Sequence, residues 1–373
     1  MLSAPRAVSE PVRGYLDNLR TRFRTCDLVG AADALAGLRV LVVGDLIIDE
    51  YCYCTVSGTV SKYPVIAAIY DDLHRMVGGG AVIARHARQY ARSVDYVCTV
   101  GDRDRHAEFA AALLVTEDVA TRFFGWPDSF TVTKRRYITG GYPNPLTRAA
   151  DQPHRPNIRL FEIGYVPPRQ LPPAVEDVVC EHLERVAGSY DAVILADFGH
   201  GLVTPRVADV VGRRARWWAV NAQTNSSNYG FNRVTKFHGP DFVCIDELEA
   251  RLPSGSRDRP IEDIVAELKA EMRCGTVMVT RGSAGLILFN GTIVGQAPAL
   301  ATTIVDTVGA GDAVLAMASL CRAAAVDEAL TVFLGACMGA IAASIVGNEE
   351  PVRKEELLRL ADSLLVGLPG ETR

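Results

Sequence analysis

Short runs of consecutive apolar residues alternate along most of the chain with longer segments whose apolar residues recur every three or four positions. The short runs are typical of strands buried on both faces of a sheet, and the longer segments predict helices. The predicted strands are residues 39–44, 94–100, 192–195, 217–220, 242–245, 276–280 and 286–289. The predicted helices are residues 80–91, 106–116, 173–187, 205–215 and 261–272. This alternation predicts an α/β fold whose mostly parallel sheet is covered by helices on both faces.

Two segments, residues 51–70 and 130–165, depart from this pattern because their residues alternate like those of edge strands. We expect both segments to form a small sheet that stands off the main one. Residues 10–36 have helical spacing and precede the first strand. The predicted division is a helical extension over residues 1–37, a main domain over residues 38–365 and a tail over residues 366–373.

The composition narrows the class of protein. The 373 residues are 49% apolar and 22% charged, which is sufficient for one large domain. The formal net charge is −5 and no long basic block occurs, so nucleic acid is a poor candidate for a partner. The uncharged stretch at residues 329–347 is rich in Ala and Gly, and we interpret it as a buried helix rather than a membrane span.

The cysteines and the N-terminal residues indicate the compartment. Nine cysteines are scattered along the chain without a C-x-x-C pair, which favours free thiols over a disulfide framework or a zinc ribbon. Residues 1–13 lack the apolar segment of a signal peptide. We therefore expect a cytoplasmic protein.

The most informative motif is D-T-V-G-A-G-D at residues 306–312, which an apolar, helix-like run follows directly. Gly309 and Gly311 free the backbone, so their amides and that of Ala310 can point into one space at a helix N-terminus. Free amides and the positive end of the helix dipole favour an anion there. The carboxylate of Asp312 beside such a site suits a base next to a phosphoryl group. The alternative is a glycine turn in which Asp312 is an ordinary residue of the first helical turn.

Further candidates for ligand contacts lie in the first half of the chain. Asp45 directly follows the first predicted strand, and ligands bind at such strand ends in open α/β sheets. A carboxylate there can accept hydrogen bonds from sugar hydroxyls. Asp49 is the weaker candidate for this role. The alternative for Asp45 is a helix or turn cap. Three glycines at residues 78–80 allow a ligand to approach the backbone closely. Lys134 and Arg136 would lie on the same face of a strand, where two cations could bind a phosphate on the substrate. The alternative is that they belong to a solvated edge strand.

The second half of the chain contains polar segments after three predicted strands. Residues 221–228 offer amides and hydroxyls that either bind phosphate or sugar oxygens or form Asx turns. Asp246 and Glu249 are candidates for binding magnesium, which prefers oxygen ligands. The alternative is that they form an acidic cluster on the surface. Residues 279–285 combine a strand with a glycine turn. No G-x-x-x-x-G-K-[ST] motif occurs, so a P-loop kinase is disfavoured.

These motifs, in this order along the chain, resemble those of the ribokinase-like, or PfkB, family of carbohydrate kinases. The similarity is greatest to the family's bacterial branch of heptose-7-phosphate kinases. The resemblance implies a three-layer α/β/α sandwich with a small β lid, which often pairs across a homodimer. It also implies a kinase that uses ATP and Mg²⁺ to phosphorylate a sugar hydroxyl, here the anomeric hydroxyl of a heptose 7-phosphate. The alternatives are another sugar, sugar phosphate or nucleoside as acceptor, or a catalytically silent protein that binds nucleotide or sugar.

The resemblance assigns roles to individual residues. Asp312 would be the catalytic base, and the amides of Gly309, Ala310 and Gly311 would form the anion hole. The residues implied to bind the acceptor are Asp45, Gly78, Gly79, Lys134 and Arg136. The residues implied to bind the nucleotide are Asn221, Thr280, Gly282, Gly285, Thr307, Gly309 and Gly311. Magnesium would be held through water by Glu249 and Asp246.

The sequence departs from the family pattern at three places. Val82 stands where an Asn usually contacts the sugar, and His200 replaces a usual Lys. Residues 221–228 lack the D-P-K string that is typical of the family. These departures leave the identity of the sugar open.

Overall fold

The computed structural model describes residues 9–60, 62–140, 158–167 and 170–367. The strands are β1 (Arg39–Gly44), β2 (Leu46–Thr59), β3 (Ile66–Gly79), β4 (Ser93–Gly101), β5 (Val119–Trp126), β6 (Val132–Thr139), β7 (Ile158–Tyr165), β8 (Ala192–Asp197), β9 (Trp218–Ala222), β10 (Phe242–Asp246), β11 (Thr276–Thr280), β12 (Leu286–Phe289) and β13 (Ile293–Ala297). The helices are α1 (Glu10–Arg22), α2 (Thr25–Leu35), α3 (Gly80–Arg88), α4 (His106–Thr116), α5 (Pro173–Val186), α6 (Pro205–Arg214), α7 (Glu247–Ser254), α8 (Ile261–Met272), α9 (Ala310–Ala323), α10 (Glu328–Ala342) and α11 (Lys354–Val366).

Within the described part of the chain, nine strands form the main sheet in the order β13-β12-β11-β10-β9-β8-β1-β4-β5. The strands from β11 to β5 run parallel, as the continuous apolar runs predict. β12 and β13 are antiparallel at one edge, because the short turns that precede them cannot make the crossover that a parallel strand needs. Neither β5 nor β13 is predicted from the sequence pattern.

Helices complete the three layers. α3, α9, α10 and α11 pack on one another, and α1 and α2 contact α11. α5 packs on α6, and α7 packs on α8. The N-terminal segment that was predicted as helical is two helices, since α1 ends at Arg22 and α2 begins at Thr25. The fold is therefore the predicted three-layer α/β/α sandwich.

The uncharged stretch at residues 329–347 supplies most of α10, which packs on α9, β12 and β13. Asp327 begins this helix by accepting hydrogen bonds from the amides of Ala329 and Leu330. In the described residues, no helix is both long enough and apolar enough for a membrane span. All nine cysteines are free, and all of them except Cys26 are buried.

β2, β3, β6 and β7 form a second, smaller sheet in the order β3-β2-β6-β7, which we call the small sheet. Only Asp45 separates β2 from β1, so the small sheet begins directly at the end of a central strand of the main sheet. The inner half of β2 is buried and its outer half is exposed. The parallel register of β2 and β6 pairs Asp49 with Lys134 and Tyr51 with Arg136. The predicted segment 130–165 includes residues 141–157, which lie outside the described residues.

Candidate active site

A cavity of about 970 Å³ opens at the carboxyl ends of the parallel strands and is lined by residues of both sheets. This is the edge at which ligands bind in open α/β folds. Most of the residues to which the sequence analysis gave a role line it: Gly79, Lys134, Arg136, Asn221, Asp246, Glu249, Thr280, Gly282, Gly285, Thr307, Gly309, Ala310, Gly311 and Asp312. Asp45 and Gly78 are not among the lining residues.

Residues 306–312 form the predicted turn into a helix. Gly309 precedes α9 with a φ of +83°, a left-handed conformation that favours glycine. A Cβ at Gly309 would lie 1.9 Å from Oδ1 of Asn348, so a side chain there would also overlap its neighbour. The sequence therefore requires glycine at this position for two independent reasons.

The amides at the start of α9 are available to a ligand. No described residue accepts a hydrogen bond from the amide of Gly309, Gly311 or Asp312. The amide of Ala310 donates only a long bond, 3.4 Å, to the carbonyl of Thr307. Unsatisfied donors and the positive end of the helix dipole lie together here, an arrangement that binds anions such as phosphate.

The side chain of Asp312 belongs to the first turn of α9 and lines the same cavity. Burial raises the pKa of Asp312 to about 7, and the carboxylate of Asp49 adds to this rise while Lys134 opposes it. A carboxyl group that titrates near neutral pH is suited to accept a proton from a hydroxyl and to release it afterwards.

Lys134 and Arg136 both reach the cavity from β6, as their alternate positions predict. Arg136 is already paired, since its guanidinium lies 2.5 Å from Asp49 and 2.9 Å from Glu162. Lys134 makes neither an ion pair nor a hydrogen bond with any described residue. Its burial lowers its pKa, although Asp49 and Asp312 act in the opposite direction. Of the two predicted phosphate ligands, Lys134 is thus the one that makes no ion pair with a described residue.

The structure corrects the prediction for Asp45. Its buried carboxylate accepts hydrogen bonds from the amides of three residues in the turn after β8, which are Phe198 at 3.1 Å, His200 at 3.1 Å and Leu202 at 3.3 Å. It therefore caps this turn and does not face the cavity. The position expected of Asp45 is taken by Asp49, which lines the cavity from β2 beside Lys134.

Gly78 is also placed differently from the prediction. It lies behind Asp49, because a Cβ at Gly78 would lie only 2.4 Å from Oδ2 of Asp49. Gly78 thus makes room for the carboxylate that faces the cavity. Gly79, which ends β3 and precedes α3 with a φ of +63°, does line the cavity.

The opposite side of the cavity is built from the ends of β9 and β11. Gly282 and Gly285 lie in the turn between β11 and β12, and a Cβ at Gly285 would lie 2.0 Å from the carbonyl oxygen of Ala297. The side-chain oxygen of Asn221 accepts a bond of 2.9 Å from the amide of Asp197. Each of the two interpretations of residues 221–228 holds for a different part of the segment. Gln223 and Thr224 line the cavity together with Asn221, whereas the side-chain oxygens of the two following asparagines, Asn225 and Asn228, accept bonds from nearby backbone amides.

Asp246 and Glu249 form a capping box at the start of α7. Asp246 accepts from the amide of Glu249 at 2.7 Å, and Glu249 accepts from the amides of Asp246 at 2.9 Å and Thr224 at 2.8 Å. Burial, with a further contribution from Asp246, raises the pKa of Glu249 to about 8. In the part of the chain that the structure describes, no three His, Cys, Asp or Glu side chains are grouped to hold a metal ion directly.

Asp306, the first residue of the D-T-V-G-A-G-D motif, has no role predicted from the sequence. Its carboxylate bonds to Tyr51 of β2 and to Arg159 of β7. Tyr51 lies two residues after Asp49, but nothing in the sequence marked Arg159. Residues 306–312 are thus attached to the small sheet through the side chain of Asp306.

Comparison with known proteins agrees with this architecture. Residues 232–354 match the sequence profile of the pfkB family carbohydrate kinases. The bifunctional protein HldE of Bradyrhizobium diazoefficiens is 26% identical over 334 residues, which cover 86% of this chain and 63% of that protein. HldE of Gluconobacter oxydans is 25% identical over 325 residues, which cover 86% of this chain and 64% of that protein. The chain thus spans slightly less than two thirds of the length of these relatives.

Solved structures share the fold at low sequence identity. Phosphofructokinase-2 from Escherichia coli, in complex with potassium, superposes with a TM-score of 0.67 at 14% identity, covering 88% of this chain and 99% of that one. Ribokinase from Arabidopsis thaliana, complexed with ribose and ATP, gives a TM-score of 0.60 at 16% identity, covering 87% and 99%. Residues 232–354 thus resemble the pfkB family carbohydrate kinases, and the chain as a whole shares the fold of these solved structures.

Proposed function

We propose that the chain is an ATP-dependent kinase that transfers the γ-phosphate of ATP to a sugar hydroxyl. The observation that carries this proposal is the presence of Asp312 and the unbonded amides of Gly309 and Gly311 on one cavity wall. Phosphoryl transfer depends mainly on positioning and on stabilisation of the charge on the transferred oxygens. A base beside preorganised amide donors provides both.

In the proposed mechanism, the acceptor hydroxyl donates a hydrogen bond to the carboxylate of Asp312. Asp312 takes the proton as the hydroxyl oxygen forms its bond to the γ-phosphorus. The bond from the γ-phosphorus to the bridging oxygen breaks, and that oxygen leaves with ADP. The amides of Gly309, Ala310 and Gly311 donate to the transferred oxygens, while Asp49, Gly79 and Lys134 hold the acceptor.

The nucleotide would occupy the side of the cavity formed by Thr280, Gly282, Gly285, Asn221 and Thr307. Magnesium, when bound, would neutralise phosphate charge. Asp246 and Glu249 fit a water-mediated role, since both line the cavity and each carboxylate keeps lone pairs beyond those used in the capping box.

The proposed acceptor is the anomeric hydroxyl of a heptose 7-phosphate. The HldE relatives and the presence of Lys134 on the cavity wall without an ion pair support this assignment. A second candidate is a kinase for another sugar, sugar phosphate or nucleoside. The pairing of Arg136 with Asp49 and Glu162 favours this second candidate, because it leaves one cation rather than two for a distant phosphate.

An ADP-release assay over a panel of sugars, with and without 7-phosphorylated heptoses, separates these possibilities. We expect ADP release that requires the 7-phosphate, with the new phosphate at the anomeric position by ³¹P NMR. Release with unphosphorylated sugars alone selects the second candidate. The absence of release with every acceptor would indicate a silent nucleotide- or sugar-binding protein and overturn the kinase assignment.

Lys134→Gln tests whether the acceptor carries a phosphate. Loss of one charge-assisted contact should raise KM for a phosphorylated acceptor by roughly 10-fold and leave KM for its unphosphorylated analogue nearly unchanged. The matched control is Lys354→Gln, which changes a lysine at the start of α11 that does not line the cavity. Equal changes for both acceptors would contradict a phosphate contact at Lys134.

The pH dependence follows from the pKa of Asp312. The base must be deprotonated, so kcat/KM should fall as pH decreases through about 7 and approach a tenfold loss per pH unit below it. Initial rates between pH 5.5 and 9, with ionic strength held constant, measure this limb. A profile that stays flat to pH 5.5 would show that Asp312 does not act as the base.

We also propose that the chain forms a homodimer through the outer part of the small sheet. Its support is a group of exposed apolar side chains there: Tyr63, Val65, Ile66, Ile69, Tyr70 and Phe161. Sedimentation analysis of the chain tests this proposal. We further propose the division of the chain into residues 1–37, 38–365 and 366–373. A cytoplasmic location is also proposed, and the free cysteines support it.

A further inference from the structure

The carboxylate of Asp306 joins the small sheet to the backbone at the start of the proposed anion hole. Its Oδ2 accepts hydrogen bonds from the hydroxyl of Tyr51 at 2.8 Å and from the amide of Gly347 at 3.2 Å. Its Oδ1 accepts from the guanidinium of Arg159 at 3.0 Å and from the amide of Val308 at 3.1 Å. Two donors therefore come from the small sheet, and two come from the backbone beside the cavity.

The bond to Val308 is the one that reaches the anion hole. Val308 directly precedes Gly309, so the orientation of Asp306 helps to fix the turn that presents the amides of residues 309–312. The hydroxyl of Tyr51 and the guanidinium of Arg159 in turn hold the two oxygens of Asp306. A charge-assisted hydrogen bond to a mostly buried carboxylate restrains its position strongly.

The same contacts extend to the proposed acceptor site. The guanidinium of Arg136 lies 5.8 Å from the ring centroid of Tyr51 and 2.5 Å from Asp49, which lines the cavity. Asp49, Arg136, Tyr51 and Asp306 thus form one continuous set of contacts. It leads from the wall that would hold the sugar to the turn that would hold the transferred phosphate.

We infer that Tyr51 and Arg159 are positioning residues for phosphoryl transfer, which hold the anion-hole turn in its productive geometry through Asp306. This inference rests on the proposed kinase function. Neither side chain is a catalytic residue, because both act through Asp306. Their loss should therefore lower kcat while KM for the sugar changes little, since the transition state depends on the amide positions more than ground-state binding does.

Three variants of the chain test the inference. Tyr51→Phe removes only the hydroxyl and should lower kcat about 10-fold, the worth of a hydrogen bond to a charged group. Arg159→Gln removes a half-exposed ion pair and should lower kcat about 2- to 5-fold. Arg159→Lys should restore most of the activity lost in Arg159→Gln. Arg185→Gln is the matched control, since it breaks an exposed arginine–glutamate pair on α5.

Hydrogen exchange at the amides of Val308 and Gly347, which donate to Asp306, provides a readout that does not require activity. Faster exchange there in Tyr51→Phe and in Arg159→Gln, and unchanged exchange in Arg185→Gln, supports the inference even if the wild type phosphorylates no acceptor in the panel. Such an inactive wild type would overturn the proposed function alone. Unchanged exchange, or a lower melting temperature with normal kcat in an active enzyme, would overturn the positioning role.

Discussion

Replacement of Asp312 by Asn is expected to lower kcat by a factor on the order of 10² or more, which is the usual contribution of a positioned base. The amide has nearly the same shape as the carboxylate but cannot accept the proton of the acceptor hydroxyl. Because the loss affects the transition state and not the bound substrates, kcat and kcat/KM should fall together while ATP affinity stays about the same. Steady-state kinetics and a direct measurement of ATP binding check both parts.

The control for this variant is Asp327→Asn, which changes another aspartate at a helix start, away from the cavity. Asp327 accepts two amide hydrogen bonds as the N-cap of α10, and Asn is an equally good N-cap residue. Turnover should therefore stay normal in this control. Turnover of Asp312→Asn within a few-fold of the wild type would remove Asp312 from the proposed role of base.

Gly309→Ala is expected to have the second large effect. The left-handed φ of +83° costs an L-residue about 1–2 kcal/mol, and overlap of the new Cβ with Oδ1 of Asn348 adds about 1–3 kcal/mol or displaces the turn. A displaced turn moves the amides that would hold the transferred phosphate, so kcat should fall by about 10² even where the variant folds. Thermal unfolding and kinetics on the folded fraction separate the two effects.

Gly291→Ala is a closely matched control. Gly291 has the same φ of +83° and lies in the turn between β12 and β13, where a Cβ would meet no atom within 4 Å. Gly291→Ala should lower the stability of the fold only by the backbone cost, because no overlap arises, and its turnover should stay normal. Equal behaviour of the two variants would show that the close contact of Gly309 with Asn348 does not position the anion hole.

The features that could be predicted from the sequence are those that local patterns encode. The strand at residues 39–44 is buried on both faces and therefore reads as one apolar run. The turn at residues 306–312 was recognisable because glycine is needed at a left-handed position directly before an apolar helix. Lys134 and Arg136 follow from the two-residue period of a strand, which places alternate residues on one face.

The features that were missed depend on contacts between distant parts of the chain. Asp45 and Asp49 belong to one motif, and only the fold shows that the turn after β8 uses the carboxylate of Asp45. Arg159 reaches Asp306 across 147 positions of sequence, a pairing that no local spacing encodes. The sequence also could not show that Asp49 and Glu162 compensate the charge of Arg136, because this depends on the register of three strands of the small sheet.

The central claim is that the start of α9 holds the phosphate in transfer while Asp312 deprotonates the acceptor. A crystal structure with a non-hydrolysable ATP analogue and the acceptor sugar tests it most directly. We predict the terminal phosphate on the amides of residues 309–312 and an Asp312 carboxylate oxygen about 3 Å from the acceptor hydroxyl. A terminal phosphate bound elsewhere in the cavity, or an Asp312 side chain turned away from the acceptor, would contradict the claim.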